Sequence, residues 1–448
     1  MTVSGLGKRQ MSASAAVVRP AGRRDSAVPG LRAVPHLAGF WIVAVSYLAL
    51  AAFGTAPTPF WPIYERADGF GPLVVTIAFA VMVLGIAASL ATVGHLSDRL
   101  GRRRLIVPAL GVGAAAATVM AVSPSLSALL VGRVLTGIAI GLMAATATAY
   151  LGDLYRQARP DSDASSVPGV VAGVAGLGGL AIGPLVSGTI GSLASAPLPL
   201  SYGGFALAML VLLGLAVVTP ETIDRQSPDV ARPVRFALQP SGQRAFIAAA
   251  AVGFCAFGVS GLFSSLGSII IRQQLHLTSV FIGGTGTLVV FAASAVAQIA
   301  LRTLQPRTMM AIGAALFPVG LVLTVIALAH PTLWLFLTAA GIAGAGAGLL
   351  FKAGLTEAAV TASPSSRAGV LAVFFIVAYL GLGLPSVLFA IALQTLALIP
   401  TMIWSAATLT ALTIASVLIG ATRIRRLRQK GDAVPPGIGA TENPSRRS

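Results

Sequence analysis

Residues 94–104 read Gly-His-Leu-Ser-Asp-Arg-Leu-Gly-Arg-Arg-Arg, between an apolar run at 72–93 and another at 105–122. Each flanking run has about the 20 apolar residues that a helix needs to cross a bilayer. Eleven residues lie between them, and Gly94 and Gly101 supply the backbone freedom that a tight reversal between adjacent helices requires. A plain polar loop accounts for the arginines. It does not account for the paired glycines, or for Asp98, whose carboxylate can accept from arginine or from a helix N-terminus.

The rest of the chain repeats the apolar-run pattern. Further runs lie near 38–60, 126–151, 167–192, 202–219, 245–271, 279–301, 308–329, 333–355, 368–393 and 401–421, making twelve in all. They are too long for strands, and an isolated span must satisfy its backbone internally, so helices are expected. Of the 448 residues 56% are hydrophobic and only 10% charged. Soluble domains carry roughly 25% charge, so lipid is the solvent this composition calls for.

The net charge of +17 does not point to nucleic acid, because the basic residues sit in short segments between apolar runs. Lys8, Arg9, Arg19, Arg23, Arg24 and Arg32 precede the first run, and Arg423, Arg425, Arg426, Arg428, Lys430, Arg446 and Arg447 follow the last. The opposite side keeps only Arg66 and Arg272. The positive-inside rule therefore places both termini in the cytoplasm, with a bacterial inner membrane as the expected location. Trp41, Trp61, Trp334 and Trp404 fall near span ends, where indole rings favour the interface. Lone Cys255 excludes an intrachain disulfide and reads as a small buried hydrophobe.

The organisation expected is a basic tail (1–37), six helices (38–219), a proline-rich linker (220–244), six more helices (245–421) and a second basic tail (422–448). The halves echo each other: 169–183 reads GVVAGVAGLGGLAIG and 369–383 reads GVLAVFFIVAYLGLG, while 137–153 resembles 341–357. Two similar six-helix halves are a transporter architecture.

The 94–104 motif resembles the signature of the major facilitator superfamily, a Gly, a spaced Asp-Arg, then Gly-Arg and a basic residue. Arg133 with Gly137 and Gly141 is similar to the family's second motif. Gly179, Gly183, Pro184 and Gly188 are similar to its antiporter motif, with Ser187 in place of one glycine. The resemblance implies an all-α fold of twelve transmembrane helices in two pseudo-symmetric halves. It also implies a conformational latch of Gly94, Asp98, Arg99, Gly101, Arg102, Arg103 and Asp153, with Asp153 pairing with the loop arginines, Arg102 first among them. The helix at 167–192 would bend in the transport cycle, and Pro184 supplies a physical cause.

Arg133 is the one charge well inside a span and should face a water-filled cavity or a partner, in binding or coupling. Lys352 lies near the inner end of its span, where its stem can snorkel. Glu65 and Asp68 are read as solvated, just beyond the first span. By the family's architecture the first, fourth, seventh and tenth spans line the cavity. Tyr47, Thr55, Thr136, Ser260 and Ser264 are then the candidate substrate or coupling residues beside Arg133. Such a hydroxyl-dominated wall suits an apolar or amphipathic solute better than a sugar.

The function expected is secondary active transport by alternating access, in the direction of efflux. The rivals are uptake or facilitated diffusion of a metabolite or sugar, and a non-transporting sensor. Enzymatic chemistry is not expected: the spans bring together no acids, bases or metal ligands, and no phosphate-binding Gly-Lys-Ser/Thr loop occurs. No cofactor or metal is expected. Proton coupling is the candidate energy source, although no span carries a clearly buried acid to relay protons. The expected partners are a small-molecule solute and the lipid bilayer, with no nucleic acid and a monomeric chain.

Overall fold

A computed structural model describes residues 34–69, 71–93, 100–160, 166–223, 236–240, 242–363 and 366–431. Among them are twelve helices long and apolar enough to cross a membrane. They are α1 (His36–Arg66), α2 (Pro72–Thr92), α3 (Arg103–Val122), α4 (Leu126–Ala158), α5 (Val167–Leu193), α6 (Pro197–Val217), α7 (Gln243–Gln274), α8 (Val280–Ala300), α9 (Pro306–Ala329), α10 (Leu333–Thr361), α11 (Arg367–Ala392) and α12 (Leu398–Gly420). One isolated antiparallel bridge, Leu238 with Ala362, is the only extended pairing among the described residues. The chain is a multi-pass membrane protein.

Successive helices run in opposite directions. The starts of α1, α3, α5, α7, α9 and α11 therefore share one face with the two termini, called here the terminal face. Local chemistry sets several boundaries. The Ser125 Oγ accepts from the Ala128 N–H at 3.3 Å and caps α4. Pro197 begins α6 five residues before the apolar run does, because proline at the first turn pre-sets the helical φ. α4 continues past its apolar part to Ala158, which carries Asp153 and Arg156 out on the terminal face.

Lipid gives little hydrophobic drive for helices to associate, so close packing at small residues must do it. α2 and α4 show this. A Cβ placed on Gly137 would lie 2.1 Å from the Met82 carbonyl oxygen. α8 and α10 repeat the contact in the second half, where a Cβ on Gly344 would lie 2.2 Å from the Val290 carbonyl oxygen. The repeat thus aligns Gly137 with Gly344, not with the Gly341 suggested by the sequence echo.

The linker is pinned at both ends. The Tyr150 hydroxyl donates to the Pro220 carbonyl at 2.7 Å. At the other end the Gln239 N–H donates to Thr361 at 2.9 Å, and the Ser366 hydroxyl donates to Ala237 at 2.5 Å. The halves meet through α2 against α11 and α5 against α8. Trp41, Trp334 and Trp404 are exposed, as interfacial indoles should be. Trp61 departs from that expectation: it is fully buried, and its Nε1 donates to the Ser264 carbonyl at 3.3 Å.

Candidate transport site

A cavity of about 600 Å³ lies between the halves. Its mouth is at the terminal face, where Ser166 and Gly169 of the α5 entry face Arg302, Thr303 and Thr356. Its deep wall reaches Ala51 on α1, Ile140 on α4 and Phe257 on α7. Tyr47 and Tyr379 line it from opposite halves, with Gln298, Phe351 and Lys352. No Asp or Glu lines it among the described residues.

Beyond the deep wall the halves are sealed. An Arg272 Nη2 donates to Glu65 Oε2 at 2.7 Å, joining the ends of α7 and α1. Glu65 is only 8% exposed, so the expectation that it is solvated is overturned: α7 folds over it and supplies its counter-ion. The described residues do include a buried acid, though outside the cavity. Gly188 packs on Phe281, and Pro184 on Gly284, closing α5 against α8.

Of the six candidate solute residues, Tyr47 alone lines the cavity. The other five lie in the sealed layer. Thr55, Thr136 and Ser260 each sit one turn past a cavity residue, and Ser264 sits one turn further. Their hydroxyls are spent on backbone. Thr136 donates to Gly132, Ser260 to Ala256 and Ser264 to Ser260. Thr55 serves a more specific end. Pro184 has no N–H to give to the Leu180 carbonyl four residues back, and the Thr55 hydroxyl donates to that carbonyl at 2.8 Å.

Arg133 is 1% exposed and does not line the cavity. Its Nη1 donates to the Gly54 carbonyl at 2.8 Å, and its guanidinium carbon stands 5.8 Å from the Trp61 ring centre and 5.4 Å from that of Phe79. Gly54 lies in the last turn before α1 breaks into the turn at Thr58–Phe60, where carbonyls lack helical donors and a cation is favoured. Arg133 thus has partners, a carbonyl and two aromatic faces, but no carboxylate among the described residues. Its Nε and Nη2 have no hydrogen bond.

The glycines of α5 divide by depth. Gly179 and Gly183 press on the first span, a Cβ on Gly183 falling 2.1 Å from the Ala52 carbonyl oxygen. Gly169 and Gly173 have nothing within 4 Å on that side and line the cavity. Between the two groups, Val174–Gly178 forms a π-helical turn. The irregularity in α5 therefore ends six residues before Pro184, at the cavity wall, where π-bulges often mark functional positions.

Of the loop motif, Gly94, Asp98 and Arg99 lie outside the described residues. The remainder converges. The Arg102 Nε donates to Asp153 Oδ2 at 3.3 Å, and an Arg156 Nη2 donates to Oδ1 at 2.5 Å. Arg103 Nη1 donates to the Val217 and Thr219 carbonyls at the end of α6. Glu221 joins this group unannounced by the sequence: its carboxylate accepts from the backbone N–H of Arg102 at 2.8 Å and of Arg103 at 3.2 Å. It thereby caps α3 and faces the positive end of the helix. Gly101 has φ +103°, and a Cβ there would fall 2.5 Å from Glu221 Oε2, so only glycine fits. Its only mark in the sequence is weak, an acid two residues past the apolar run at 202–219.

The sequence profile of the Major Facilitator Superfamily matches residues 42–384. The chain belongs to that superfamily. Among curated proteins it is 33% identical over 124 residues to the inner membrane transport protein YajR of Escherichia coli, and 33% identical over 78 residues to the glucose transporter GlcP of Staphylococcus epidermidis. These alignments cover 28% and 17% of this chain, and 27% and 18% of the relatives.

Solved structures share this major facilitator fold across most of their length. The nucleoside transporter NupG, in a mutant form, superposes with a TM-score of 0.64 at 12% identity, covering 85% of this chain and 99% of NupG. The human organic anion transporter MFSD10 gives 0.59 at 20% identity, covering 86% and 99%. An inward-facing, unoccupied bacterial homologue of the human lysosomal transporter Spinster gives 0.60 at 14%, covering 86% and 95%.

Proposed function

We propose that this protein exports a small amphipathic solute from the cytoplasm by alternating access, and that the conformation described here is the one open to the cytoplasm. One observation carries the reading: a cavity between the halves, open at the terminal face and closed at the other by Glu65–Arg272 and by α5 against α8. Rocking the halves would break that closure and form another around the α2–α3 loop, where Gly101, Arg102, Arg103 and Asp153 already converge with Glu221. Asp98, Gly94 and Arg99 complete the proposed latch.

The lining supports the solute class. Aromatic and aliphatic side chains dominate, and Gln298 is the one amide among them. Sugars and nucleosides present many hydroxyls that such a wall would leave unpaired at a cost. The antiporter-like Gly179–Gly188 segment supports export against proton entry. The charge asymmetry of the tails supports a cytoplasmic terminal face in a bacterial inner membrane.

Two measurements test this. Cysteines at Gln10 and Ser445 should resist impermeant thiol reagents in intact cells, while one at Gln273 labels. Purified protein in liposomes should give saturable flux of amphipathic solutes, faster under an opposing proton gradient. Solute binding without flux would make the chain a sensor, and flux of sugars in preference to amphipathic solutes would overturn the solute class.

A further inference from the structure

Lys352 and Gln298 both line the cavity. On α8 and α10 the last tight contact before the mouth is Gly348 against Ser294, where a Cβ would lie 2.5 Å from the Ser294 carbonyl oxygen. Lys352 and Gln298 each follow by four residues. They therefore occupy the same two helix faces one turn nearer the mouth, and both line the cavity. The turn above is satisfied, since the Ser294 hydroxyl donates to Gly344 at 2.6 Å. At the Lys352 level the pattern changes. Gln298 Nε2 is buried with no hydrogen-bond partner among the described residues. The Lys352 ammonium is in none of the described ion pairs or hydrogen bonds. Arg302 adds a second positive charge at the mouth.

Donors without acceptors, and cations without a lining carboxylate, define a site for negative charge. Against them stands an apolar floor. The rings of Phe257 and Phe351 are 4.7 Å apart, and Tyr379 lies 5.3 Å from Phe257. Aromatic faces alone would also attract a lipophilic cation, but Lys352 repels one inside a low-dielectric cavity, where charge counts most. A neutral body would leave the ammonium and the Gln298 amide unpaired once the mouth closed.

We propose that the cavity binds an amphipathic organic anion, its acidic head held by Lys352 and Gln298 and its apolar body by the Phe257, Phe351 and Tyr379 cluster. This rests on reading the cavity as the transport site. The positive groups favour entry of anions, and Lys352 gives the bound head a counter-charge that travels with the second half as the halves rock. The stem of Lys352, which the sequence alone assigns to snorkelling, here presents its ammonium to solute.

The test uses the full chain in neutral phosphatidylcholine nanodiscs, so that no anionic lipid competes. Three radiolabelled probes share one ring system and differ in head charge: naphthylacetate, naphthylacetamide and naphthylethylammonium. Equilibrium binding should favour the carboxylate over the amide by about tenfold or more, as a charge-assisted contact does over a neutral one. Lys352→Gln should bring that ratio near unity, Lys352→Glu should turn the preference to the ammonium, and Lys352→Arg should keep the carboxylate preference. A wild type that does not bind the carboxylate, or a carboxylate preference that survives Lys352→Gln, overturns the anion site. Carboxylate binding with no flux in liposomes contradicts the transport reading and leaves the anion site standing. Flux of the amide or the ammonium without tighter carboxylate binding does the reverse.

Discussion

The guanidinium of Arg272 and the carboxylate of Glu65, 207 residues apart in the chain, are joined at 2.7 Å across the two halves. Glu65 is nearly buried, so the pair is not an ordinary surface bridge. Breaking it leaves a charge without its partner, at a cost of about 1–3 kcal/mol.

Glu65→Gln should therefore loosen the closure on that face. A cysteine at Ser268, one turn before Arg272 and buried here, reports it in a Cys255→Ser background. A shift of about 1.4 kcal/mol between states changes their ratio tenfold. Impermeant maleimide added from the non-terminal face should accordingly label Ser268→Cys about tenfold faster when Glu65 is Gln. Equal labelling rates would remove this pair from the gate.

Arg133→Ala should cost about 2–4 kcal/mol of stability, since it opens a void between Trp61 and Phe79 and leaves the Gly54 carbonyl unsatisfied. Arg133→Met fills the void and brings no charge to bury, so it should recover at least half of that loss. Melting temperatures of purified variants give both values. An alanine variant that melts with the wild type would contradict the cap assigned to this side chain.

What the sequence made legible was whatever depends on neighbours along the chain. The twelve apolar runs match the twelve helices because twenty apolar residues carry their own instruction to span. The apolar pattern stops at 60 and 151, short of the ends of α1 and α4, because their last turns carry Glu65 and Asp153, and amphipathic turns look like loops. The cavity was less legible. Thr55 and Thr136 have the residue type of a solute site, but their depth places them past its end, and depth follows from how the halves close. The Glu65 partner lies in another half, and the Thr55 partner is a carbonyl orphaned by Pro184. Neither pairing has a local signal. Lys352 does sit in the inner part of its span, yet whether its side chain meets lipid or cavity depends on α8.

The loop motif predicts coupling between its members. Asp153→Asn and Arg102→Ala should each lower flux with near-normal insertion, and the double variant should fall short of the sum by about 0.5–3 kcal/mol in apparent free energy. Glu221→Gln removes the charged cap of α3 and should cost about 1 kcal/mol of stability. Strictly additive effects of Asp153→Asn and Arg102→Ala on flux would count against a latch.

The central claim is that transport requires the closed face to open, and a cross-link there tests it most directly. A Cβ on Gly191 at the end of α5 would lie 3.4 Å from the Val280 Cβ at the start of α8. Disulfides hold Cβ atoms about 3.5–4.5 Å apart, so Gly191→Cys with Val280→Cys in a Cys255→Ser background should oxidise once the Phe60 ring, 2.7 Å from the added Cβ, gives way. The single variant Gly191→Cys, measured alongside, separates the effect of the bond from that of the added side chain. Flux in liposomes should stop on oxidation and return on reduction, while the cavity still binds solute from the terminal face. Full flux through quantitatively cross-linked protein would contradict alternating access between these two halves.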